Sequence, residues 1–214
     1  MKREWRIGLA AAIGMAVCAS VSQAGMSILD DFSADSSGKY VGLLLYSPGG
    51  GTATYARNSS DQFEPTWSGE ATYGWYWNEG QKLRVGESIS LVFQLTASSM
   101  NYPAAGFILG TNTTTIVFAP CVMYRQANPA GYCFSHDLGN WTSGIGTQTG
   151  LSTITVTRVS PTHFAWSVRG GGLTVNDSYT NADLAGVESL YFGIVGYRNG
   201  TGRPSFATIS ATAR

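Results

Sequence analysis

Over its last third, 151–213, the chain alternates apolar and polar residues with a period of two. Ile154 and Val156 stand between Thr153, Thr155 and Thr157. After a turn signal at Ser160-Pro161, Phe164, Trp166 and Val168 alternate with His163, Ala165, Ser167 and Arg169. Leu190, Phe192 and Ile194 repeat the pattern in 189–197, and Asn199-Gly200-Thr201-Gly202 leads into 204–211. A period of two sends successive side chains to opposite faces of a strand, whereas a helix needs apolar residues three and four apart. The spacing predicts four strands, two on each side of a short polar segment, and so an antiparallel β-structure. The one helical hint is a turn or two within 181–188.

The same reading extends towards the N-terminus. Strands are predicted over 27–32, 40–46, 52–57, 70–78, 88–96, 104–110, 114–124 and 132–136, with Pro48-Gly49-Gly50-Gly51 and Glu79-Gly80 as turns. The segment 88–96 is the cleanest: Ile89, Leu91, Phe93 and Leu95 share one face, and Ser88, Ser90, Gln94 and Thr96 the other. Short strands separated by Gly, Asn and Pro predict an all-β, two-sheet antiparallel β-sandwich of the jelly-roll type. Buried positions should include Ile89, Leu91, Phe93, Phe164, Trp166, Phe192 and Ile194, with the first and last strands side by side. No internal repeat or linker divides the chain.

The first 24 residues read as a secretory signal rather than part of the fold. Lys2, Arg3 and Arg6 precede an apolar run over 7–17, and Ser22 and Ala24 occupy the positions that a signal peptidase reads. The run is short for a membrane span, and no later segment is apolar enough for one. The expected domains are therefore a signal peptide, 1–24, and one sandwich domain, 25–214. The expected location is secreted, periplasmic or cell-surface, with no membrane association after cleavage. Charged residues make up 12% of the chain and the formal net charge is zero, so no basic patch for nucleic acid is visible. Cys121 and Cys133 survive cleavage. An even cysteine count in an exported chain, with the turn Asn128-Pro129-Ala130-Gly131 between them, predicts a Cys121–Cys133 disulfide.

The stretch Leu29-Asp30-Asp31-Phe32-Ser33 and the ending "LYFGIVGYRNGTGRPSFATISATA" resemble the two ends of concanavalin A-like and laminin-G-like jelly-roll domains of bacterial exported proteins. The resemblance implies the sandwich fold more than any activity. It also implies a structural calcium held by acids near the first and last strands. Asp30 and Asp31 are present, but Ala207 stands where the expected acid would be. A hard cation needs six or more oxygen ligands, so no cofactor is expected; a structural calcium stays open as the alternative, weakened by Ala207 in place of the acid.

Two clusters carry binding chemistry. The first is the aromatic segment 70–78, where Tyr73, Trp75 and Trp77 alternate to one face and Tyr76 to the other, with Trp67 just before. Flat rings suit the apolar C–H faces of sugars, and Glu70, Asn78, Glu79 and Gln81 lie close in sequence to bond hydroxyls. Aromatics also dominate sandwich cores. If Tyr73, Trp75 and Trp77 fill the core, Tyr76 and Trp67 are the exposed pair. The second cluster is the loop His136-Asp137-Leu138-Gly139-Asn140-Trp141, where Asn140 and Trp141 join an amide to an indole.

No catalytic residues are expected. Hydrolysis of a polysaccharide needs two carboxylates across a cleft, and no Glu-x-Asp-x-x-Glu run exists. Gly193 occupies the place of the lysine in an alginate-lyase-like strand, and the cysteines are assigned to a disulfide. The sequence therefore predicts an exported, non-catalytic module that binds carbohydrate or a cell-surface partner. The alternatives are a polysaccharide-degrading enzyme of the same fold and a structural or adhesive surface protein.

Overall fold

The computed structural model describes residues 26–30, 40–46, 53–54, 66–67, 71–96, 103–125, 131–137, 140–199 and 203–212, with side chains placed in 81–95, 103–125, 131–137 and 140–196. The expected signal peptide lies outside the described residues. In chain order the strands are β1 (Met26–Asp30), β2 (Tyr40–Tyr46), β3 (Ala53–Thr54), β4 (Thr66–Trp67), β5 (Ala71–Arg84), β6 (Ser88–Thr96), β7 (Ala104–Gly110) and β8 (Ile116–Phe118). They continue with β9 (Cys121–Arg125), β10 (Gly131–Ser135), β11 (Thr142–Ser143), β12 (Ser152–Arg158), β13 (His163–Gly170), β14 (Leu173–Thr180), β15 (Ser189–Asn199) and β16 (Arg203–Thr212). A short 3-10 turn, Ala182–Leu184, sits where the helical hint fell; Asn181 caps it by accepting from the Asp183 N–H.

The strands form two antiparallel sheets. One runs β1-β16-β6-β12-β13-β14; the other runs β11-β10-β9-β7-β15-β5-β2, with β8 paired to β7. The first and last strands pair, Met26 opposite Thr212. The chain is the expected two-sheet β-sandwich. Its core lies between the sheets and contains Ile89, Leu91, Phe93, Ile154, Val156, Phe164, Trp166, Val168, Phe192 and Ile194 from the alternating runs, with Phe107, Leu109, Val122 and Leu184. Every residue expected to be buried is so. On the far face of the six-stranded sheet the hydroxyls bridge neighbouring strands, Ser88 to Thr157 and Ser90 to Thr155, each at 2.7 Å.

Four local readings need correction. First, Glu79-Gly80 is not a turn: β5 continues through it, and the register passes from Trp77↔Gly193 to Lys82↔Tyr191. The surplus residues of β5 bulge against β15, which bends the strand without ending it. Second, the predicted strand 114–124 is two strands. Pro120, which has no N–H to donate to a ladder, separates β8 from β9. Third, the polar segment after Arg169 contains a full strand, β14, antiparallel to β13. The turn between them is Gly170-Gly171-Gly172, with φ of 87°, 54° and 83°, a left-handed run that side-chain-bearing residues avoid.

The fourth correction concerns the disulfide. Cys121 and Cys133 are both free, buried thiols. The register explains why: Cys133 lies opposite Met123, and Cys121 opposite Ser135. The two cysteines share a face but sit diagonally, a relation that holds Cβ atoms about 7 Å apart, well beyond disulfide reach. The Cys133 thiol instead donates to the Met123 carbonyl oxygen at 3.4 Å.

Burial raises both thiols. The Cys121 thiol is pushed well above its ordinary value by burial, then by Cys133 and Asp137. Burial carries Cys133 from 9.0 to about 11, against a lowering contribution from Arg125. A raised folded-state value means that the folded form keeps a proton the unfolded chain has lost. The stabilisation is complete below pH 9.0 and is lost as pH climbs through about 11. We predict that both thiols resist a thiol reagent in the native protein and react on unfolding. The urea midpoint should fall between about pH 9 and 11, and less steeply in Cys121→Ala/Cys133→Ala. A mass two protons below the reduced form would contradict the assignment.

Candidate functional site

The eight-stranded sheet has two dissimilar faces. Ala105, Phe107 and Leu109 of β7, Val122 of β9, Tyr132 of β10 and Leu190, Phe192 and Ile194 of β15 point into the core. The residues between them form the outer face. Ile108, Ala119, Cys121 and Val195 make one cluster there, and Ala104, Met123 and Cys133 another. Trp141 packs against both clusters and is itself half-buried. The indole that the sequence marked in a polar loop thus lies on the outer face of the sheet.

A fixed polar loop holds it there. Ala119 N–H donates to the His136 carbonyl at 2.9 Å, which ties the loop to the sheet after β10. Asp137 then organises the turn. Its Oδ1 accepts from Ser135 Oγ at 2.8 Å and from the Asn140 N–H at 2.8 Å, and its Oδ2 accepts from Asn140 Nδ2 at 2.7 Å. A carboxylate that accepts several local donors is a strong, directional anchor. Asp137 and Asn140, the latter next to Trp141 in the chain, are exposed, and the Asn140 side-chain oxygen takes part in none of these bonds. The loop therefore carries a carboxylate and an amide joined to each other, followed in the chain by the indole.

The other candidate cluster lies two strands away. Trp67 ends β4, paired with Ala53. Trp75, Tyr76 and Trp77 belong to β5, opposite Val195, Ile194 and Gly193 of β15. Their side chains lie outside the described residues, but directly opposed positions of an antiparallel pair share a face. Position 76 therefore belongs to the face of Ile194, a core residue, and positions 75 and 77 to the outer face with Val195. Between position 75 and Trp141 the outer face carries small residues: Val195 of β15, and Ala104 and Gly106 of β7. Gly106 is required, because a Cβ there would collide with the Pro120 carbonyl oxygen and the Cys121 backbone. This strip is two strands wide, about 10 Å. Its floor is buried, so a ligand would meet the rims.

On the same face, Tyr191 packs against the cluster of Ile108, Ala119, Cys121 and Val195, and Lys82 Nζ stands 4.1 Å from the centre of its ring. Among the described residues no group of three or more His, Cys, Asp or Glu could hold a metal. Asp31 and Ala207 lie outside the described side chains, as does Asp30, whose backbone pairs with Ile209. His163, expected at the surface, is half-buried and its Nδ1 lies 3.0 Å from Thr180 Oγ1.

Sequence reasoning missed Arg158. It follows Ser152, Ile154 and Val156 in inward phase and is fully buried. Strand parity alone could have found it. Its role is structural, since its guanidinium binds backbone carbonyls of the segments 161 and 187–188.

No family model matches the chain, and no curated protein sequence does. Solved structures do. Lectin II from Ulex europaeus superposes with a TM-score of 0.56 at 9% identity, covering 80% of this chain and 97% of that one. The carbohydrate recognition domain of Emp46p, in its potassium-bound form, gives 0.53 at 11% identity, covering 86% and 95%. A protein described among endo-acting O-glycanases of the human gut microbiota gives 0.51 at 12% identity, covering 87% and 99%. At these identities the likeness shows the fold alone: the chain is a lectin-like jelly-roll sandwich.

Proposed function

We propose that this chain is an exported glycan-binding module whose ligand lies across the outer face of the eight-stranded sheet. The observation that carries the reading is Trp141: an indole half-buried on that face, preceded in the chain by Asp137 and Asn140, which are exposed and fixed to each other. An aromatic ring takes the C–H face of a pyranose, and the adjacent amide and carboxylate take its hydroxyls. Trp75 and Trp77, at outer-face register positions across the small-residue strip, extend the same surface. Trp67, at the end of β4, remains a candidate beside it, whereas the register places Tyr76 on the core face with Ile194 and removes it from the surface. The signal-like N-terminus supports export, and the likeness in fold to a lectin and a carbohydrate recognition domain supports the ligand class.

The test is a glycan array followed by titration of any hit. Trp141→Ala should weaken binding about three- to tenfold, as expected for one stacked ring. Asn140→Ala should weaken it less, and chelation should leave it unchanged. A blank array would favour a surface-protein partner or an adhesive role. Reducing ends or unsaturated products released from a polysaccharide panel would favour the enzymatic reading.

A further inference from the structure

The outermost strand of the six-stranded sheet, β14, has one neighbour among the described residues, β13. An edge strand of eight residues is a template for pairing with another chain unless something blocks it. Its start is covered: the Thr174 N–H donates to the Ile145 carbonyl at 2.8 Å, and Gly146 bridges Leu173. At the finish, the Asn181 N–H continues the ladder to β13 by donating to the Thr162 carbonyl at 2.9 Å, and the 3-10 turn begins. Among the described residues, nothing pairs with the far side of 175–180.

The direction of the free groups follows from the ladder. Alternate residues of an antiparallel strand aim their N–H groups the same way. The Thr174 N–H points off the sheet, so those of Asn176, Ser178 and Thr180 do too. The central one is occupied from within: the Ser178 N–H donates to Asp177 Oδ1 at 2.8 Å. Asp177 also occupies an inward position, in the series Leu173, Val175, Asp177, Tyr179, where it is half-buried opposite Trp166. The Thr and Val residues that favour strands would extend the apolar series here and leave the N–H open. Aspartate does neither, although it is a poor strand former.

We propose that Asp177 is a gatekeeper that keeps the β14 edge from pairing with a second copy of the chain. Its carboxylate occupies the N–H that an incoming strand would need first, and it places a charge where the partner's backbone would seat. Pairing would require breaking a charge-assisted hydrogen bond and stripping water from the carboxylate.

The test compares self-association of the full chain with Asp177→Thr and Asp177→Asn by analytical ultracentrifugation and amide exchange. Threonine removes both cap and charge. It should tighten self-association about tenfold or more and slow exchange at the amides of Asn176, Ser178 and Thr180. Asparagine keeps an acceptor for the Ser178 N–H but loses the charge, and should associate more than the unaltered chain and less than the threonine variant. Asp177→Ala, read the same way, decides the matter if the threonine variant does not fold. Unchanged association in the threonine or alanine variant would overturn the proposal. So would association with no new protection in β14.

Discussion

Arg158→Met is expected to destabilise the folded chain by about 3–5 kcal/mol, although methionine fills much of the same apolar volume. The reason lies in what Arg158 holds. Its Nη1 donates to the Glu188 carbonyl at 3.1 Å, and its Nη2 to those of Pro161 at 3.0 Å and Val187 at 2.6 Å. The guanidinium carbon lies 6.0 Å from the centre of the Phe164 ring, and Nε is buried with no partner. Burial lowers the pKa of the group, as it must for a cation taken from water. Three carbonyls and a ring face offset that cost. Removing the guanidinium leaves three carbonyl oxygens without their donor and unties the β12–β13 turn from the segment before β15. Arg158→Lys should recover only part of the loss, because one ammonium cannot span three carbonyls on two segments. Thermal unfolding should show the methionine variant melting about 10 °C or more below the parent. A shift of less than about 1 kcal/mol would mean that the carbonyls find other donors.

Phe93→Ala should cost a similar amount, about 3–5 kcal/mol, by a different route. Phe93 sits on β6 in the middle of the six-stranded sheet, flanked by Ser152 of β12 and Phe206 of β16, and is 0% exposed. Truncation leaves an apolar cavity between two sheets whose backbones are fixed by hydrogen bonds on both sides, so the walls cannot close over it. Val159→Ala is the matched control. That side chain is 50% exposed, and its loss should fall within about 0.5 kcal/mol. Urea unfolding of both variants checks the pair. Equal effects would mean that the face carrying Phe93 is not the core.

The strands that were legible in the sequence are those whose apolar residues alternate without a break. Ile154/Val156, Phe164/Trp166/Val168 and Phe192/Ile194 declare their phase because burial on one face demands it. β14 was hidden because Asn176, Asp177 and Ser178 interrupt the apolar series opened by Leu173 and Val175. Those polar residues belong to an edge, where burial on one face no longer dictates composition. The bulge after Trp77 was hidden for a related reason. Glu79-Gly80 is a turn by composition, and only the partner strand decides whether the chain reverses there or bends. Arg158 carries an inward phase and an outward chemistry, a conflict that composition resolves wrongly and the carbonyls of 161, 187 and 188 resolve correctly. The cysteine pairing failed on a register that no spacing reveals, since Cys121 and Cys133 share a face yet sit two positions out of step. Of the candidate site, the residue types of the 136–141 loop were legible. That Trp141 packs against two outer-face clusters drawn from strands remote in sequence was not.

The most direct measurement is the nuclear magnetic resonance map of the chain on titration with a glycan that it binds. We expect shifts concentrated at the Trp141 indole and at the Asn140 amide and side chain, the accessible groups of the rim. The Ser90, Thr155 and Thr157 face of the opposite sheet should stay unchanged. Shifts confined to that hydroxyl-lined face, with the Trp141 indole unmoved at saturation, would contradict the assignment of the binding surface.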